Sequence, residues 1–189
     1  PDSGETSCIY ATPGHFVDGS AATSQQSCQL GEYQPSTARQ SCMTADIGYY
    51  VDSIGSPSQT KCLPGKYNPD QSATSVDACI DAEPGFYVQT TTSGAGSQTP
   101  CSAGTYQAAF GMTECTDAEE GYFVDTTQAA TPTPCEAGTY QPSTGQVSCL
   151  DAGDGHYVAG TGQSEHTPCP VGTYQPNVGS TTCIDADPG

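Results

Sequence analysis

The chain has 189 residues, of which Leu, Ile, Val and Phe number 3, 5, 9 and 4, or 21 in all, too few to build one ordinary hydrophobic core. Its 21 acidic residues face only three basic ones, Arg39, Lys61 and Lys66, for a net charge of −18. Such a charge repels nucleic acid and anionic membranes, and no apolar run approaches the 18 or so residues needed to span a bilayer, so neither nucleic-acid binding nor direct membrane insertion is expected of this stretch.

Eleven cysteines and eleven tyrosines oppose the reading of disorder. Small units without a core are stapled by disulfides, which persist in oxidising compartments, so an extracellular or cell-surface protein is expected.

The cysteines divide the chain into copies of one sequence. A partial copy, 1–27, is followed by full copies at 28–61, 62–100, 101–134 and 135–168, and by a second partial copy at 169–189. The period is 34 residues except in 62–100, where three extra residues precede Cys79 and two more fall in "TTTSGAGSQTP"; both are expected to be exposed turns. "PDSGETSC" matches "PSTGQVSC", and "CIDADPG" ends before its aromatic, so both ends are expected to lie inside a repeat of a longer array. Helical periodicity is absent, and Gly, Pro and Ser/Thr clusters leave room only for very short strands.

Each copy is itself double. Its first half reads Cys-x-x-Gly-x-Tyr, as in Cys101, Gly104 and Tyr106; its second reads Ala-x-x-Gly-x-aromatic, as in Ala118, Gly121 and Phe123. Alanine holds the cysteine's place at Ala11, Ala45, Ala82, Ala118, Ala152 and Ala186. Near the far end of the second half, the place of the other cysteine is filled by Gln25, Gln59, Gln98, Pro132 and His166.

Joint loss of two cysteines implies that the retained ones pair within first halves: Cys28 with Cys42, Cys62 with Cys79, Cys101 with Cys115, Cys135 with Cys149, and Cys169 with Cys183. Cys8 would find its partner outside this stretch. Second halves are then expected to be uncrosslinked loops. A competing scheme bridges the second halves instead, joining Cys8 to Cys28 and Cys42 to Cys62 and so onward, and sequence leaves both open.

The string Cys-x-x-Gly-Thr-Tyr, followed by a Ser/Thr/Gly-rich stretch and a further Cys, resembles the ephrin-receptor-like cysteine-rich repeat of the growth-factor-receptor and tumour-necrosis-factor-receptor type. Ala118 departs from that pattern, which carries a cysteine there. The resemblance implies a small, disulfide-rich, mostly irregular and β fold: an elongated tandem-repeat rod with short hairpins and no single core. Such repeats occur in receptor ectodomains and in long surface proteins of protists and algae, including mastigoneme shafts. The resemblance carries no catalytic residues over.

His15 and His156 stand where other copies have Tyr49, Phe86 and Tyr122, a position that reads as a half-buried ring platform, and no nucleophile elbow or phosphate loop is present. No enzyme activity is expected. The acids after each first half, Asp81 with Glu83, Asp117 with Glu119, and Asp185 with Asp187, are candidates for calcium, although calcium takes six to eight oxygens and each group offers two or three carboxylates. The expectation is no cofactor, with calcium the alternative.

Asn68 and Asn177 lie outside N-glycosylation sequons. The runs at 90–100 and 126–134 have the composition of O-glycosylated stalks, with Thr90, Thr91, Thr92, Ser93, Thr126, Thr127, Thr131 and Thr133 as candidates. Near-identity among copies favours a structural component of an extracellular appendage, filament or stalk, partnered by self-association or lateral assembly with other chains. The alternative is a receptor or adhesin ectodomain that binds a protein ligand.

Overall fold

The computed structural model describes residues 10–20, 22–89 and 93–187. Among these, the regular structure is ten two-stranded antiparallel hairpins and one 3₁₀ turn, Val76–Ala78. Every strand is a mere dipeptide, as in Thr105–Tyr106 with Thr116–Asp117 and Tyr122–Phe123 with Thr133–Pro134. The structural unit is therefore a single hairpin, such as that from Cys101 to Asp117, and in most copies it is half as long as the chemical repeat. No hairpin closes into a barrel.

The described residues form two compact units. One comprises the residues up to Asp81 together with Gln89–Ser97; the other comprises Ala82–Val88 and the residues from Gln98 onward.

Two-residue hairpins are marginal in isolation. Within each unit they are held by backbone bonds to the next hairpin. Between the hairpins that begin at Ala118 and Cys135, the Gly121 N–H donates to the Gln141 carbonyl (2.8 Å). The Val124 N–H donates to the Gln146 carbonyl (2.9 Å), and the Gly145 N–H donates back to that of Ala118 (2.7 Å). The same three bonds link the hairpins beginning at Ala11 and Cys28: Gly14 to Gln34, Val17 to Arg39, and Ala38 to Ala11. Each hairpin contacts its neighbours through one repeated interface, as in solenoids.

This close approach fixes the residues at three places. The turn glycine Gly121 has φ +83°, and a Cβ there would overlap the Gly162 carbonyl two hairpins on. The first residue of every described hairpin but the last, which opens at Cys169, is small and buried, whether cysteine (Cys28, Cys62, Cys101, Cys135) or alanine (Ala11, Ala45, Ala82, Ala118, Ala152). Six positions later the interior side chain alternates: Gln34, Gln107, Gln141 and Gln175 in disulfide hairpins, and Val51, Val88, Val124 and Val158 in the others. Such side chains meet across the junctions, as where Tyr33 packs with Ala45 and Val51 of the following hairpin.

The two insertions of the long copy behave differently. The residues before Cys79 form the exposed 3₁₀ turn, capped by the Ser75 side chain, which accepts from the Asp77 N–H. The second insertion, expected to be an exposed turn, is described from Ser93 on. There Gly94 lies against Gly48 and the Tyr49 ring, Gly96 lies against Ile47, and the Ala95 carbonyl accepts from the Asn68 N–H. Two glycines without side chains let this segment pack where a bulkier loop would stand away.

Hairpin tips require left-handed backbone. Glycine meets that need at Gly55, Gly111, Gly145, Gly162 and Gly179, but Ala38, Ser72 and Gln128 adopt it at φ 58°, 59° and 64°. A side chain in that region costs about 1–2 kcal/mol, partly offset by the lower unfolded-state entropy of a non-glycine residue. Gln128→Gly is therefore expected to stabilise the protein by about 0.5–1 kcal/mol, and Gly121→Ala to destabilise it by about 2–4 kcal/mol through strain plus backbone overlap. Urea unfolding of both variants checks this pair: equal midpoints would show that the backbone conformation does not limit stability.

Candidate functional site

The chemistry of this chain is concentrated at the base of each hairpin, where its ends must be joined. In five hairpins the join is a disulfide: Cys28–Cys42, Cys62–Cys79, Cys101–Cys115, Cys135–Cys149 and Cys169–Cys183. Their Cα atoms are 5.6–5.8 Å apart, within the usual range, and the bridged residues are 14 or, in the long copy, 17 positions apart. The pairing across second halves is not formed between these cysteines. Cys8 lies outside the described residues.

Inside each disulfide loop, the residue after the tyrosine works as a clamp. The buried Gln141 amide donates from Nε2 to the Ser148 carbonyl (2.7 Å), and its Oε1 accepts from the Ser143 N–H (3.1 Å). Gln34, Gln107 and Gln175 repeat this pattern seven and two positions on. In the long copy the shorter Asn68 accepts from the Asp70 N–H and donates to the Asp70 and Tyr49 carbonyls. The loop backbone is thereby satisfied without a second strand. Sequence reasoning missed this role, although glutamine after tyrosine at a fixed period is its visible signal.

The described second halves carry no disulfide, as expected, yet their bases are not left open. The side chain in the second cysteine's place reaches across the same base. Gln59 Oε1 accepts from the Asp46 N–H (2.7 Å) and its Nε2 donates to the Asp46 carboxylate (2.7 Å). Gln98 makes the same pair of bonds with Glu83, and Gln25 makes them with the Thr12 N–H and hydroxyl. A primary amide offers both an acceptor and donors, so one side chain holds both the backbone and the carboxylate.

At Pro132 no such amide is present. At His166 the join is a ring stack: the imidazole lies 4.1 Å from that of His156 at an interplanar angle of 12°, and 4.7 Å from the Tyr140 ring of the preceding hairpin. Its Nδ1 is buried without a hydrogen-bond partner, whereas His156 Nδ1 donates to the Asp154 carbonyl. Histidine thus serves as a packing ring at 156 and 166. His15 is half-buried as well, with Nδ1 near the Thr12 hydroxyl and the Pro13 carbonyl.

The calcium candidates are not assembled. Among the described residues, no three of His, Cys, Asp or Glu come together to hold a metal ion. Asp81 instead pairs with Lys66 at 2.7 Å, Glu83 accepts from Gln98, and Asp117 lies beside the hairpin tip at Gly145. Glu119, Asp185 and Asp187 are exposed. The Tyr33 phenol is held above the ordinary tyrosine value, chiefly by burial, with the Asp46 carboxylate and Tyr49 adding to it.

Of the glycosylation candidates, Thr90, Thr91 and Thr92 lie outside the described residues. Ser93, Thr126, Thr127, Thr131 and Thr133 are exposed.

Residues 155–185 match a family model described as tyrosine-protein kinase ephrin type A/B receptor-like. That segment runs from the turn glycine of the His156 hairpin through the Cys169–Cys183 hairpin. The other disulfide hairpins repeat its order of cysteine, glycine, aromatic ring and cysteine, a pattern that fits cysteine-rich repeats of that kind. A search of the curated proteins finds no match. Family and disulfides together mark an extracellular, cysteine-rich repeat protein. No helix among the described residues is long and apolar enough to cross a membrane.

Both kinds of hairpin share one register: Tyr33 pairs with Met43, and in the hairpin that follows Tyr50 pairs with Thr60. The backbone at 45 and 59 is accordingly placed for a bridge. The Ala45→Cys/Gln59→Cys double variant is expected to form an additional disulfide, seen as no gain in alkylatable thiols over the parent chain, and to gain about 3 kcal/mol. Gln141→Leu is expected to cost about 1–3 kcal/mol, because it leaves the part-buried Ser148 carbonyl and Ser143 N–H without their partner, whereas Gln59→Ala costs about 1 kcal/mol at its more exposed base. Free thiols in the double variant would show that the two bases differ in geometry.

Proposed function

We propose that this chain is a structural component of an extracellular filament, appendage or cell-surface stalk, without catalytic activity, that assembles with further copies of itself or laterally with other chains. The observation that carries this reading is the sameness of the junctions: hairpin after hairpin is joined by the same backbone bonds and carries the same interior side chains. A binding module varies one face to suit its ligand, whereas a shaft repeats one interface, because every element bears the same load. Disulfides in alternate hairpins cap the length of chain that a pulling force releases when a junction opens. The excess of carboxylates keeps a nearly coreless surface hydrated. O-linked sugar on exposed hydroxyls extends that hydration.

The second reading is a receptor or adhesin ectodomain, favoured by the receptor-like description of the matched family. Negative-stain electron microscopy and sedimentation of the full protein, isolated from the cells that produce it, separate the two. Filaments or higher oligomers that disperse on reduction are the expected result. Monomers at all concentrations that bind a cell-surface or soluble protein would replace the first reading by the second.

A further inference from the structure

A threonine recurs on the second strand of the hairpins that lack a disulfide, and in one compact unit it is always followed by proline: Thr99–Pro100, Thr133–Pro134 and Thr167–Pro168. All six residues are exposed. Each threonine faces an aromatic residue across its hairpin: Tyr87, Phe123 and Tyr157 respectively. The pair recurs once in every chemical repeat of that unit.

Three features set these hydroxyls apart from the other periodic threonines. Thr105, Thr139 and Thr173, on the first strands of disulfide hairpins, donate their hydroxyls to the carbonyls of Ser102, Glu136 and Pro170 at 2.8–2.9 Å. Among the described residues, no side-chain bond occupies the hydroxyls of Thr99, Thr133 or Thr167. Each of the three also lies on a two-stranded hairpin, so the outer edge of its strand has no sheet partner and is open to an enzyme that reads extended backbone. The following proline removes a backbone N–H and biases the threonine toward extended geometry, so the acceptor is presented in one fixed conformation. At the corresponding place in the other unit, Thr60 is followed by Lys61, and the proline is absent.

We propose that Thr99, Thr133 and Thr167 form a row of O-glycosylation sites, one per chemical repeat, glycosylated from a nucleotide-sugar donor. The threonine Oγ1 forms a bond to the anomeric carbon of the sugar. The bond from that carbon to the nucleoside diphosphate breaks, the diphosphate leaves with its electron pair, and the hydroxyl proton passes to the transferase. The assignment rests on the extracellular placement of the chain and differs from the composition-based one: it selects Thr133 from its run, passes over Thr126, Thr127 and Thr131, and adds Thr99 and Thr167. It needs no assembly into filaments.

The test is peptide mapping with electron-transfer fragmentation on the full chain isolated from the cells that produce it. Glu-specific cleavage suits a chain with three basic residues and places Thr133, with Thr126, Thr127 and Thr131, on the fragment 121–136. The expected result is a saccharide mass on Thr99, Thr133 and Thr167, with none on Thr105, Thr139, Thr173 or Thr60. Thr133→Val is expected to abolish the saccharide mass on the 121–136 fragment, and Pro134→Ala to lower its occupancy severalfold. Sugar confined to Thr126, Thr127 or Thr131 would overturn the row while leaving a glycosylated stalk. Sugar found nowhere would overturn the row and leave the assembly measured by sedimentation unaffected.

Discussion

Within each compact unit, successive hairpins approach so closely that backbone bonds to backbone across the junctions, and the rest of the sequence follows from keeping that approach open. The Gly121 N–H and the Gly145 N–H both cross between the same two hairpins. Any side chain at Gly121 would stand where the Gly162 carbonyl sits. A junction of this kind substitutes directed hydrogen bonds for the apolar area that this composition cannot supply. Its strength is therefore set by geometry at a few positions, and large residues such as Leu30, Ile54 and Leu63 can remain outside, largely exposed.

Directed bonds need a rigid frame, and the hairpins supply it in two chemistries that alternate along the chain. In one, a disulfide closes the base and a buried glutamine fills the interior and satisfies the loop. In the other, alanine and valine fill the same places without polar atoms, and in several copies the base is closed by a glutamine at its edge. Each interior is self-consistent: the glutamine is paired with backbone on both sides, and the valine brings no polar atom to satisfy. The exchange moves the amide from the interior, where it clamps the loop, to the rim, where it clips the ends. The covalent and non-covalent hairpins then present the same backbone register to their neighbours, so one interface serves both.

Much of this is legible because it is periodic. The cysteine spacing and the joint vacancy at Ala118 and Pro132 point to the hairpin base as the place where ends are joined, and Cys101–Cys115 closes a base of that kind. The vacancy itself reads only as the loss of a bridge, and what replaces the bridge stays hidden. Gln59 in the place of a cysteine looks like the absence of a bridge, because its effect depends on reaching the Asp46 N–H and carboxylate, and the short distance across a hairpin base is a property of the fold. The tips at Ala38, Ser72 and Gln128 are hidden for the opposite reason: three non-glycine residues interrupt a glycine pattern, yet the neighbouring junction bonds hold them in left-handed backbone. His166 belongs to a third kind. Its ring meets His156 on its own hairpin and Tyr140 on the one before, a meeting visible only once the stacking order is known.

Exposed strand edges remain the hazard of such a design, since every hairpin leaves backbone groups facing out beside a surface with little bulk to cover them. The chain answers with two devices that take turns along it. Proline follows threonine on the second strands at 100, 134 and 168 and removes a donor from the edge. Aspartate ends the second strand of most disulfide hairpins, at 81, 117, 151 and 185, and sets like charges against any edge that would dock there. Of these four, Asp81 alone is neutralised by its cross-strand partner, Lys66, because the other three face threonine. In the unit from Gln98 onward, alternation of proline edges with carboxylate edges leaves no run of bare backbone at which strands could pair without order. Any association between chains through that unit would then use side chains, whose spacing the repeat controls, and order in such an assembly would come from the same period that orders the hairpins.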